Sequence, residues 1–240
     1  KRQVMSELVL VRHGQASFGA ASYDKLSEKG VDQVRCLSDH WGELGHRFDH
    51  IYCGSLQRQK ETARELLGLA KGSPSEPTEL IGFNEYNGDP LLRIYSRDKN
   101  KEASDIPAIV LPIKEPKLFQ RTFEEATARW ITKNLHPTQE DADFELWSDF
   151  KERVNRALDE VMNRHCGGSK VIISTSGGVI AVALQKVLQF SDREVINTNW
   201  MVHNSSVSRI KYGKDRMSLS QFNNLSHLER PGKHDMITYR

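Results

Sequence analysis

The sequence predicts an α/β fold: a mostly parallel central sheet with helices on both faces, plus an inserted, partly helical lid over about residues 88–143. Three observations carry that expectation. Two short β-rich runs, "LVLV" at 8–11 and "KVIIST" at 170–175, each stop at glycine or polar residues, as strands buried on both faces do. Helical periodicities fill the intervals between such runs. One stretch breaks the pattern: Pro90, Pro107, Pro112 and Pro116 interrupt it and "SRDKNKEASD" is strongly charged, and a bare connection of that length is uncommon inside a compact domain. The chain, 1–240, is therefore read as a single α/β domain with the lid inside it.

The first strand, 8–11, gives way to Arg12, His13 and Gly14. From Ser27, "SEKGVDQVRCLSDHWGELG" spaces Val31, Val34, Leu37, Trp41 and Leu44 three and four apart, with Ser27 as N-cap and Gly45 as stop. "FDHIYCGS" (48–55) reads as a strand and "LQRQKETARELLGLA" (56–70) as a helix bringing Leu66, Leu67 and Ala70 to one side. A further helix starts near Ser148 with Phe150, Val154, Leu158 and Met162 in register, and "CGG" (166–168) ends it. After the strand at 170–175, "VIAVALQKVL" (179–188) is a buried helix, and "SSVSRIKY", "GKDR" and "MSLSQF" form a closing hairpin.

Composition narrows the function. With 34 Lys+Arg against 32 Asp+Glu, a formal charge of +2 and no basic block, nucleic acid is not expected as a partner. Cys36, Cys53 and Cys166 are scattered without C-x-x-C or a disulfide pattern, which fits a reducing, cytoplasmic setting. No apolar run reaches the length of a membrane span, so no membrane partner is expected, and the start of the chain lacks the apolar core of a signal peptide. Met5 is expected as the native start, with residues 1–4 ahead of it. Trp130, Trp147 and Trp200 could serve a core or an interface, and composition leaves the oligomeric state open.

Four stretches carry chemistry. Ligands of open α/β sheets bind beyond the carboxyl ends of the strands, where Arg12, His13 and Gly14 fall. A guanidinium offers forked donors to phosphate or carboxylate, a neutral imidazole can act as nucleophile or base, and glycine admits close backbone approach. In "CGSLQRQKETA", Arg58 lies in a helix's first turn, where a cation opposes the dipole unless an anion neutralises it. "LIGFNEYNGD" (80–89) carries Glu85 among turn formers; beside an anion a carboxyl group tends to hold its proton and can serve as a general acid. "VIISTSGGVI" places Ser176, Gly177 and free N–H groups at the carboxyl edge, a ready anion seat. Each has an ordinary alternative when taken alone: a solvated arginine, a turn glutamate, a serine cap with glycine for tight packing.

Together and in order, these stretches resemble the histidine phosphatase superfamily, which includes the cofactor-dependent phosphoglycerate mutases. "YDKLSEKG" (23–30), "SLQRQKETA", "FNEYNGD", "NSSVSRIKY" and "FNNLSHL" are similar to further family segments, and the match spans the two ends and the core while leaving the lid unassigned. The resemblance implies that His13 is a transiently phosphorylated nucleophile, that Arg12 and Arg58 grip phosphoryl oxygens, and that Glu85 donates a proton. The sequence departs from the family where S-H-G-G is usual: it reads Thr175-Ser176-Gly177-Gly178, as a T-S-G-G branch would, so a second catalytic histidine is replaced. Ala16 and the neighbourhood of Gly19 also lack the usual polar residues. Losing one preorganised donor typically costs about a hundred- to a thousandfold in turnover. His203 is the candidate auxiliary histidine; His227 reads as a capping or packing residue, and His40, His46, His50, His136, His165 and His234 are given no role.

The resemblance thus implies a phosphomonoester hydrolase working through phosphohistidine on His13, with no metal and no cofactor, acting on a small phosphorylated substrate or binding phosphate. Two alternatives stand beside it: a catalytically weak member that binds phosphorylated ligands or a protein partner, and a mutase-like phosphotransferase. The lid cations Arg93, Arg97, Lys99, Lys101 and Arg121 either meet extra acidic groups of a substrate or form a solvated face.

Overall fold

The computed structural model describes residues 4–17, 24–102 and 107–239. β1 (Ser6–Arg12), β2 (His50–Cys53), β3 (Thr78–Glu79), β4 (Lys170–Thr175), β5 (Val207–Tyr212) and β6 (Met217–Asn224) form one sheet in the order β3-β2-β4-β1-β5-β6. β1 and β2 both run parallel to β4, and β3 parallel to β2. Only the β5–β6 hairpin turns the other edge antiparallel. The sheet is therefore mostly parallel, and the strands β1, β2 and β4 end side by side.

Leu8, Val9, Leu10 and Val11 are all fully buried, so β1 is covered on both faces. Alternation sends Val9 and Val11, with Ile172, Ile51 and Cys53, into one core with α1 (Glu28–Glu43) and α2 (Gln57–Glu65). α6 (Gly177–Leu188) contacts β1 and lies outside that core, on the opposite face, and all its residues from Gly177 to Leu184 are buried. Ser27 caps α1 by accepting from the Gly30 N–H, as its sequence predicts. α1 ends at Glu43, however, and leaves Leu44 58% exposed rather than on the buried stripe.

The helix expected over 56–70 is shorter: α2 stops at Glu65 and the chain tightens into a 3₁₀ turn, Leu67–Leu69, around Gly68. α5 (Trp147–Arg164) follows the predicted register, with Phe150, Val154 and Leu158 buried. α7 (Asp192–Met201) carries no sustained apolar stripe, since only Val195 and Ile196 are buried, and periodicity misses it.

The chain divides into two compact units, Lys1–Glu85 with Arg153–Arg240, and Tyr86–Glu152. The second contains α3 (Gly88–Glu102) and α4 (Pro116–Ile131). Two of the prolines read as interruptions instead open helices: Pro90 lies in the first turn of α3 and Pro116 is the first residue of α4, where a missing N–H costs nothing. Trp130 packs against Tyr86, Trp147 and Phe150 at 5.0, 5.0 and 5.8 Å between ring centroids, so Trp130 and Trp147 serve this unit's core. Arg93 and Arg97 both bind the buried Asp141 carboxylate, at 3.0 and 2.6 Å, so these cations brace the unit. No helix among the described residues is long and apolar enough to cross a membrane.

Candidate active site

The site is assembled at the carboxyl edge, beginning where β1 runs out. Arg12 is paired with Thr175, and the next N–H, that of His13, donates to the Thr175 carbonyl at 2.9 Å. From the other side the Ser205 N–H donates to the carbonyls of Arg12 (3.0 Å) and His13 (3.3 Å), and Asn204 Nδ2 donates to His13 O at 3.2 Å. Gly14 is required by the chain itself: a Cβ there would lie 2.3 Å from Gly30 O, backbone against backbone. Its N–H donates to Thr62 Oγ1 of α2 at 3.1 Å.

These contacts fix His13, which is 6% exposed. Nδ1 lies 2.7 Å from the Gly14 carbonyl, which can only accept, so Nδ1 carries the proton. Nε2 accepts from Arg58 Nε at 3.3 Å and therefore keeps its lone pair. Burial, then Arg58, then Arg12 hold the imidazole well below its ordinary pKa, against the opposing Gly14 contact. His13 is thus held neutral, with its Nε2 lone pair facing Arg58.

Arg58 stands in the first turn of α2, the place where a cation opposes the helix dipole. The neutralising anion belongs to the chain itself: Asp24 Oδ1 pairs with Arg58 Nη1 at 2.7 Å, while Oδ2 accepts from the Gln57 N–H at 2.7 Å. Asp24 thereby caps α2 from outside and aims the guanidinium, a role that sequence reasoning missed because 34 residues separate the pair. Arg12 Nη1 donates to the Val202 carbonyl.

At the end of β4, alternation puts Ser174 and Ser176 on the face shared by Ile172, Val11 and His13. Ser174 Oγ donates to the Gln59 carbonyl at 2.7 Å, and Ser176 Oγ accepts from Gln59 Nε2 at 3.0 Å. Gln59 Nε2 also donates to the Phe83 carbonyl at 3.0 Å, which accepts from Thr175 Oγ1 at 2.7 Å as well. That doubly held carbonyl anchors the 3₁₀ turn Ile81–Phe83, two residues before Glu85. Glu85 Oε2 accepts from the Gly178 N–H at 2.9 Å, in the first turn of α6. Gly177 leaves room for α7: a Cβ would lie 2.4 Å from Asn199 Oδ1.

His13, Arg58, Glu85, Ser176 and Gly177 thus lie within one hydrogen-bonded frame, and Arg12 enters it through the backbone. His203 belongs to the Val202–Ser206 segment that holds the Arg12 and His13 carbonyls, but its ring faces elsewhere: Nδ1 accepts from Asn223 Nδ2 at 2.9 Å and the ring packs, tilted by 35°, against Tyr239 at 4.0 Å between centroids. His227 is buried, bonded to Ser205 Oγ through Nε2 at 2.8 Å, as a packing histidine. Ala16 is buried and bridges Leu26, and Gly19 lies outside the described residues. Among the described residues no three His, Cys, Asp or Glu side chains are grouped as a metal site.

The chain matches known proteins in sequence and in fold. A family model, the histidine phosphatase superfamily (branch 1), matches residues 8–103 and 114–225. A metal-independent phosphoserine phosphatase from Arabidopsis thaliana is 24% identical over 235 residues, covering 95% of this chain and 85% of its own. A 2,3-bisphosphoglycerate-dependent phosphoglycerate mutase from Borreliella afzelii is 23% identical, covering 81% and 83%. Among solved structures, phosphoglycerate mutase from Bacillus anthracis superposes with a TM-score of 0.62 at 18% identity, covering 94% of this chain and 96% of its own. A phosphoserine phosphatase mutant from Entamoeba histolytica in complex with phosphoserine gives 0.62 at 14%, covering 93% and 100%. With its R-H-G strand end, its arginine at the start of α2 and a family match running from β1 to β6, the chain belongs to the histidine phosphatase superfamily.

Proposed function

We propose that the protein is a phosphatase of small phosphomonoesters that works through a phosphohistidine on His13 without a metal. The observation that carries this reading is the His13 tautomer: Nδ1 is bound to an acceptor and Nε2 to a donor, so the lone pair is held toward Arg58. In the first step Nε2 attacks phosphorus in line, the N–P bond forms and the bond to the leaving oxygen breaks, and Glu85 gives that oxygen its proton. Arg58, still tethered by Asp24, passes from Nε2 to an equatorial oxygen, with Arg12, Ser176 and the N–H of Gly177 as further ligands. In the second step water attacks phosphorus, Glu85 takes its proton, and the electron pair returns to Nε2 as inorganic phosphate leaves. The reading of residues 88–143 as an inserted lid belongs to the same proposal. The relative named as a metal-independent phosphoserine phosphatase supports both the reaction class and the substrate class.

The test is turnover of an aryl phosphate with and without a chelator, by the parent and by His13→Ala. Turnover that survives chelation and is lost in the variant is the expected result; chelator-sensitive turnover, or turnover unchanged in His13→Ala, refutes the mechanism. Serine in place of a second histidine favours one other reading, a weak catalyst that binds phosphorylated ligands. Phosphate binding by a parent that turns over no phosphomonoester would select it.

A further inference from the structure

We propose that Gln59 is the positioning residue of this site, acting by orienting the Ser176 hydroxyl as a neutral donor to the phosphoryl group. The proposal rests on the phosphatase reading. Gln59 is fully buried, one residue after Arg58 on α2, so the two successive side chains address two successive targets: Arg58 reaches His13 and Gln59 reaches Ser176. The orientation of its amide is settled by its neighbour. The Phe83 carbonyl can only accept, so the group 3.0 Å from it is the NH₂, and the second hydrogen of that NH₂ goes to Ser176 Oγ at 3.0 Å. A serine hydroxyl that has accepted a hydrogen bond still has its own proton to give. No hydrogen bond among the described residues takes that proton, and α6 makes no claim on the lone pairs either, since Ser176 occupies its N-cap without a side-chain cap bond. With Ser176 on the same face as His13, the proton is directed to the anion seat.

Two features of the surroundings fit a demand for this carboxamide. Gly54 makes the space for it, since a Cβ at that position would lie 2.0 Å from Gln59 Oε1. Oε1 itself is buried without a hydrogen-bond partner, a cost that apolar packing would avoid. The amide is kept for its donor end. Thr175 Oγ1 holds the Phe83 carbonyl independently, so removing Gln59 leaves the Glu85 segment anchored and isolates the effect on Ser176.

The experiment is a double-mutant cycle on kcat for an aryl phosphate, with Gln59→Leu, Ser176→Ala and the double variant, and with Gln59→Glu carried through a pH profile. Ser176→Ala is expected to lose about a hundredfold, the effect of one preorganised donor. Gln59→Leu is expected to lose about tenfold, and the double variant to fall no further than about threefold below Ser176→Ala. Gln59→Glu distinguishes positioning from packing. As a carboxylate it accepts the Ser176 proton and withdraws it from the substrate; as the neutral acid it again donates, so its activity relative to the parent should recover as pH falls. Losses that multiply in the double variant, or a Gln59→Glu profile parallel to the parent's, overturn the proposal while the phosphatase reading stands. A parent without turnover overturns both.

Discussion

The acid sensitivity of the fold can be worked out at His227, beneath the candidate site. This imidazole is 2% exposed, Nε2 is bonded to Ser205 Oγ, and Nδ1 is buried without a partner. Burial first, then the charges of His40, Arg230 and Lys233, pushes it down to about 3. In the unfolded chain a histidine takes its proton near pH 6.5, roughly. Below that value the unfolded state binds a proton that the folded state refuses, so stability falls with pH by about 1.4 kcal/mol per unit until the folded value is reached. Between pH 7 and pH 5 the loss from this residue alone comes to about 2 kcal/mol. His227→Gln keeps a polar atom for Ser205 and removes the titration. His13, lowered as well, contributes equally to parent and variant and cancels. Urea unfolding at the two pH values should show the parent losing about 2 kcal/mol more than His227→Gln. Equal losses would refute the placement of a neutral, sealed histidine behind Ser205.

Two further outcomes test the site's electrostatics and its backbone. Arg58→Gln removes a cation that depresses His13, so the histidine's protonation, followed by NMR, should move to higher pH, and inorganic phosphate should bind at least about tenfold more weakly. Gly14→Ala should cost about 1–3 kcal/mol in urea unfolding because its Cβ meets the Gly30 backbone, whereas Gly42→Ala on α1, with nothing within 4 Å, should be neutral or stabilising.

Five of the six strands are legible in the sequence because buried strands are apolar runs and the hairpin alternates, and α1, α5 and α6 are legible from their apolar faces; β3 is not, being two exposed residues. α7 was not visible, since it buries two residues and is defined by its Ser191 cap, whose side chain accepts from the Glu194 N–H. The prolines misled for a related reason. A proline breaks a helix only in its interior, and the sequence alone does not say whether Pro90 falls inside a turn or opens one.

For the site, the four stretches announced which residue types would gather, since each sits where an apolar run stops. What they could not announce is the set of groups that orients those residues. Asp24, Gln59, Thr62 and Ser205 are unremarkable by spacing, and the partners they hold, Arg58, Ser176, Gly14 and Arg12, lie 34, 117, 48 and 193 residues away. Position 176 makes the consequence concrete. Read along the chain, Ser176 is a departure from the S-H-G-G pattern that the family resemblance leads one to expect. Read across the sheet, it is half of a pair whose other half, Gln59, fills the buried space beside it, so a larger side chain at 176 would meet the carboxamide. Ser176→His should therefore cost about 1–3 kcal/mol in urea unfolding, because the imidazole would have to displace the buried Gln59 carboxamide, and an unchanged stability would refute that packing.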